Sequence, residues 1–123
     1  MIAGAVTSDE HETVTAAVNS SVTLNCSIDT RANLTETSQR NWTIRWTLHR
    51  EKSHTPVELF NGIQRNPQLA RLEVSVDDVT GQSELKIHNV LQQDAGNYSC
   101  KLYHSNQLRF VDSFTLVVTS QYN

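Results

Sequence analysis

Asp94-Ala95-Gly96-Asn97-Tyr98-Ser99-Cys100 is the stretch of this chain that decides its fold. From Tyr98 through Cys100 to Leu102, every second residue is apolar. Asn97, Ser99, Lys101 and Tyr103 fill the places between. A period of two is that of a β-strand with one buried face and one wet face. Gly96 has no Cβ and so permits a tight turn into that strand. Leu91-Gln92-Gln93-Asp94, just upstream, is at most one helical turn.

The same alternation recurs on both sides. It runs through Val22-Thr23-Leu24-Asn25-Cys26-Ser27-Ile28, Ile44-Arg45-Trp46-Thr47-Leu48, Leu72-Glu73-Val74-Ser75-Val76, Leu85-Lys86-Ile87 and Phe114-Thr115-Leu116-Val117-Val118. Turn-forming pairs punctuate these runs: Asn61-Gly62, Asn66-Pro67, Thr80-Gly81 and Ala95-Gly96. No long stretch keeps a helical period, and there is no internal repeat or low-complexity tract. Many short strands separated by turns predict an all-β sandwich or barrel. Cys26 takes the inward parity with Leu24 and Ile28, and Trp46 takes it between Ile44 and Leu48.

On these residues the chain resembles the V-set immunoglobulin superfamily. The resemblance rests on Cys26, Trp46, Arg71, Leu85 and the Asp94–Cys100 run, which matches the family's D-x-G-x-Y-x-C motif. It implies an immunoglobulin V-type two-sheet antiparallel Greek-key sandwich, occupying 10–119 between short tails at 1–9 and 120–123. It further implies a Cys26–Cys100 inter-sheet disulfide with Trp46 packed on it, and a Tyr98 hydroxyl turned back to the backbone just upstream. Asp94 is then expected to pair with Arg71 and close the lower end. Pro56-Val57-Glu58-Leu59-Phe60 looks like the extra hairpin that V domains add to one sheet. Two departures stand out. The first hypervariable-type loop, about Asp29 to Arg40, is extended. The run Phe110-Val111-Asp112-Ser113-Phe114 sits in register with the joining segment of antigen receptors but has Val111 and Ser113 where that segment has glycines. Those glycines allow a bulge between paired domains, so their absence argues against an antibody or T-cell-receptor chain.

Composition bounds the function. The 123 residues are one domain's worth, 37% hydrophobic and 19% charged, with a net charge of −3 and acids and bases interspersed. A clustered basic face, as nucleic-acid binding requires, is absent. No apolar run approaches the roughly 20 residues of a membrane helix, so a signal and any anchor are expected outside this chain. Two lone cysteines are compatible with free buried thiols as well as with a bridge. Five Asn-x-Ser/Thr sequons, at Asn19, Asn25, Asn33, Asn41 and Asn97, tip the reading towards an extracellular setting. Asn19, Asn33, Asn41 and Asn97 are the glycosylation candidates. Asn25, with Cys26 as its middle residue and strand pairing around it, is expected to stay bare.

Catalytic, metal and cofactor chemistry are not expected. His11, His49, His54, His88 and His104 form no HxH, HExxH or helical pair, and there is no G-x-S-x-G elbow. Asp77-Asp78 beside a turn reads as a solvated pair rather than a calcium site. Trp42, where the extended loop meets its strand, reads as a cap on the core's upper end, with an exposed anchor as the alternative.

A domain of this kind presents loops and one sheet face to a protein. The expectation is the ligand-binding ectodomain of an immune-type or adhesion receptor. Its rivals are a soluble glycan-binding V domain, a viral glycoprotein capturing a host ligand, and a structural domain within an adhesion array. The expected partner surface is the outer face of the sheet bearing Trp46 and Cys100: Arg45, Thr47 and His49 on one strand, Ser99, Lys101 and Tyr103 on its neighbour, joined by Phe60 and Phe110. The partner is a protein ligand or a like V domain, a symmetric homodimer being the first expectation. A glycan on Asn97, which shares the outward parity, would crowd the lower edge of that face.

Overall fold

Alternation in the sequence becomes alternation of burial. Along the strand Gln82–Ile87, each exposed residue is followed by a buried one. The computed structural model describes residues 7–27, 42–77, 82–104 and 106–120, with the backbone alone at 7–10, 27, 42 and 104. The loop at 29–40, the sequons at Asn33 and Asn41, the Trp42 side chain, Asp78 and the Thr80-Gly81 turn lie outside what it describes. Among the described residues there are eight strands: β1 (Thr7–Ala17), β2 (Val22–Ser27), β3 (Trp42–Arg50), β4 (Val57–Phe60), β5 (Leu72–Asp77), β6 (Gln82–Ile87), β7 (Gly96–His104) and β8 (Gln107–Thr119). They form a five-stranded sheet ordered β1-β8-β7-β3-β4 and a three-stranded sheet ordered β2-β6-β5. The pairings are antiparallel except that β1 runs parallel to β8, with a bulge between Ser8 and His11.

The core lies between the sheets. Cys26 on β2 and Cys100 on β7 join them in a disulfide, with a Cα–Cα distance of 6.3 Å. Trp46, directly opposite Cys100 on β3, is fully buried and stacks on Phe114 with ring centroids 5.9 Å apart. Leu24, Leu85, Ile87, Leu102 and Leu116 complete the packing. A buried indole N–H without an acceptor would cost about 1–3 kcal/mol. Here Trp46 Nε1 donates to Ser83 Oγ at 2.9 Å, and the Ser83 hydroxyl donates to the Ser75 carbonyl at 2.8 Å. Ser83 therefore belongs to the core, although its residue type gave no hint of it.

The lower end is closed by polar groups. Arg71 meets Asp94 through two parallel hydrogen bonds, Nη1 to Oδ2 at 2.7 Å and Nη2 to Oδ1 at 2.9 Å. Asp94 Oδ2 also accepts the Leu91 N–H at 2.8 Å. Arg71 Nη1 reaches the His88 and Asn89 carbonyls as well. The carboxylate holds the guanidinium above its ordinary pKa through that hydrogen bond, against the opposing cost of burial. Gly96 enters β7 with φ +150°, and a Cβ there would stand 2.6 Å from the His49 carbonyl oxygen. Backbone conformation and space together exclude a side chain.

The Tyr98 hydroxyl donates to the Asp94 carbonyl at 2.5 Å. Burial, and then the Asp94 charge, raise the phenol above its ordinary pKa. The ionised phenolate is therefore disfavoured in the folded state. The stability this represents is complete below the unfolded tyrosine value near 10 and is lost as pH rises towards the folded one. Urea unfolding is expected to show a midpoint falling above about pH 10, with Tyr98→Phe removing that share of the slope and costing about 1 kcal/mol at neutral pH. An alkaline slope unchanged in Tyr98→Phe would assign it to other groups.

Two expectations about side-chain direction are corrected. Phe110, placed on the outer face, is 1% exposed and lies in the core. It pairs with the inward Leu102 across β7–β8, just before a register shift that leaves Tyr103 opposite Leu108. It also shares the parity of Phe114 and Leu116. Phe60 is half-buried and packs against the core rather than standing outward. A register shift in β3–β4 sets Trp46 opposite Phe60 but Thr47 opposite Glu58, so Leu59 and Phe60 both turn towards the core. The extra hairpin is also short. Only β4 is a strand, and the returning limb makes a single bridge, Phe60 to Arg65.

Candidate partner-binding face

The outer face of the five-stranded sheet is built on the two strands that carry the core. Because Trp46, Cys100 and their alternate neighbours point inward, the residues between them point out. The β3–β7 register sets Thr43 opposite Tyr103, Arg45 opposite Lys101, Thr47 opposite Ser99 and His49 opposite Asn97. Arg45, His49 and Asn97 are exposed, and the others are partly covered by their neighbours. The Arg45 guanidinium lies over the Tyr103 ring, 5.3 Å from its centroid. Such a cation–π contact at an exposed site contributes about 0.5–1 kcal/mol and holds both side chains in place.

The lower half of the face is cross-linked by hydrogen bonds between strands. His11 on β1 contacts Thr115 Oγ1 through Nε2 at 2.6 Å, and the Thr115 hydroxyl donates to Asn97 Oδ1 at 2.8 Å. One hydroxyl proton cannot serve both bonds, so His11 Nε2 is the donor to Thr115. His49 Nε2 donates to the Ser53 carbonyl at 2.9 Å and ties β3 to the turn that follows it. The three histidines with described contacts, His11, His49 and His88, are thus engaged in surface hydrogen bonds, His88 with Glu73 at 2.8 Å. That contact lowers the Glu73 pKa. Among the described residues no group of three or more His, Cys, Asp and Glu could hold a metal ion.

Alternation placed this face in the sequence but passed over its rim. Asn61-Gly62-Ile63-Gln64 joins β4 to its returning limb, and Ile63 is 86% exposed. The Asn61-Gly62 pair marks the turn in the sequence, and an apolar residue directly after it was the available signal.

The described sequons differ in setting. Asn19 stands exposed in the β1–β2 turn with φ +73°. Asn25 lies within β2 opposite Glu84, and its middle residue, Cys26, is held in the disulfide. Asn97 sits on the outer face with its Oδ1 engaged by Thr115. Glycopeptide mapping of protein made in animal cells is expected to find Asn19 occupied and Asn25 bare. Occupied Asn25 beside bare Asn19 contradicts this order.

No curated protein matches the chain. The model of the immunoglobulin V-set domain matches residues 9–119, nearly the whole chain. Two facing sheets, the buried Cys26–Cys100 bridge, Trp46 upon it and the Arg71–Asp94 closure agree with that match. The chain belongs to the immunoglobulin V-set domain family.

Proposed function

We propose that this domain recognises a protein partner through the outer face of its five-stranded sheet, as part of an immune-type or adhesion receptor acting outside the cell. Domains of the family serve in recognition and binding and are generally not enzymes. The observation that carries the reading is the patch on β3 and β7. Arg45, Thr47, Ser99, Lys101 and Tyr103 stand outward on adjacent strands whose opposite side is anchored by Trp46 and the disulfide. A rigid base of this kind lets polar and aromatic groups meet a partner at little cost in ordering them. Tyrosine and arginine are the residue types that carry most binding energy in protein interfaces.

The extracellular setting is supported by the internal disulfide, a bond that persists in oxidising compartments. Among the described residues no helix is long and apolar enough to cross a membrane. A glycan-binding reading would call for several exposed rings around a groove. Tyr103 is the one Phe, Tyr or Trp ring that strand parity carries outward among the described side chains of this face.

The test pairs Tyr103→Ala with Arg45→Glu and stains a panel of cell lines with the fluorescent, tetramerised domain. Staining is expected to fall to background while the unfolding midpoint stays within a few degrees of the parent's. Undiminished staining by the folded variant would move the binding surface elsewhere.

A further inference from the structure

Arg45 and Lys101 face each other directly across β3 and β7 on the outer face. Like charges in that position destabilise a sheet. Overall basicity does not account for the pair, because the chain carries a net charge of −3. Arg71–Asp94 and His88–Glu73 form ion pairs, and neither Arg45 nor Lys101 takes part in them. The Arg45 guanidinium lies over Tyr103, which holds it in place, and a guanidinium stacked on a ring presents its N–H groups in its own plane. Two cations facing each other, one of them held on an aromatic ring, form a seat that an incoming carboxylate completes with charge-assisted hydrogen bonds.

The rim of this seat is apolar. Asn61 Oδ1 accepts the N–H groups of Ile63 at 2.8 Å and Gln64 at 2.9 Å, and the bridge from Phe60 to Arg65 closes the turn behind them. Gly62, at φ +98°, lies so close to Thr43 that a Cβ would stand 2.3 Å from its Cγ2. Thr43 is the residue opposite Tyr103, so the turn abuts the same patch. Ile63 is held out at the edge of the seat by a turn that is already ordered.

We infer that the upper half of the outer face docks a protein other than this chain. That partner offers an Asp or Glu carboxylate to Arg45 and Lys101 and an apolar recess to Ile63. The inference rests on the outer-face reading above and adds the chemistry of the partner. A second copy fits poorly. Among the described side chains, Glu58 is the one carboxylate whose strand pairing carries it outward on this sheet, and a two-fold pairing along the strands sets cations against cations. Such repulsion selects against self-association and favours an acidic partner.

The test pans a random peptide library displayed on phage against the monomeric wild-type domain. It repeats the binding assay with three folded variants, Arg45→Glu/Lys101→Glu, Ile63→Ser and Thr47→Trp. Recovered peptides are expected to be enriched in Asp and Glu beside a bulky apolar residue and to be released by salt. Arg45→Glu/Lys101→Glu is expected to weaken them by about tenfold or more, as loss of close charge pairs does, and Ile63→Ser by less. Thr47→Trp covers the centre of the face and separates the two readings. If it abolishes binding while Arg45→Glu/Lys101→Glu leaves binding intact, the face stands and the acidic partner falls. If neither substitution matters, both fall. Recovery of peptides without acidic enrichment, sedimentation as a dimer dependent on Tyr103, or capture of sialylated glycans in place of acidic peptides would each overturn the inference.

Discussion

Replacing Cys26 and Cys100 together by alanine is expected to lower the stability of the domain by about 4.5 kcal/mol from chain entropy alone. The bridge closes a loop with a sequence separation of 74, and the cost grows with the logarithm of loop length. Both sulfurs are fully buried against Trp46, so their removal also leaves unfilled volume. A domain of this size is held by about 5–15 kcal/mol, and a loss of that order takes a large share of it. Denaturant unfolding of the reduced wild type and of the double variant measures the two contributions. The reduced protein should lose most of the stability, and the variant somewhat more. A loss below about 1 kcal/mol in both would show that the sheets hold without the bridge.

Asp94→Ala is expected to cost about 3 kcal/mol, the range found when one partner of a sheltered ion pair is removed. The Asp94 side chain is 6% exposed and that of Arg71 is 29% exposed, so neither partner can turn freely to water. The substitution strips two hydrogen bonds from the guanidinium and leaves the Leu91 N–H without its acceptor. The Tyr98 hydroxyl keeps its bond, because it donates to the main-chain carbonyl of residue 94. Asp94→Asn retains an acceptor for Leu91 and should fall between the wild type and Asp94→Ala. A double-mutant cycle with Arg71→Met should give a coupling of about 1–3 kcal/mol. Coupling near zero would mean that Asp94 acts through the Leu91 turn alone.

Side-chain parity, the core and the family were legible from residues near one another in the chain. A strand's period of two is a local property, so Tyr98, Cys100 and Leu102 declared their buried side with no partner in view. Phe110 was legible on the same ground, since it is two residue pairs from Phe114 and three from Leu116 and shares their inward parity. The motif from Asp94 to Cys100 encodes a turn and a strand whose polar groups satisfy one another within a few residues.

Other features depend on what lies across a strand or across the sandwich, and only the tertiary structure decides these. The parallel docking of β1 on β8, the shift that turns both Leu59 and Phe60 inward, and the choice of Ser83 as the acceptor for Trp46 all join residues far apart in sequence. Arg45 and Lys101 are each unremarkable when read along their own strands. They become a pair of like charges only because the β3–β7 register sets them face to face. Ile63 reaches the edge of that pair because Gly62 lets its turn lie against Thr43. Local alternation determines which way a side chain points. Register and sheet packing determine what it meets, and the meeting of charges and apolar groups on one face is what a partner reads.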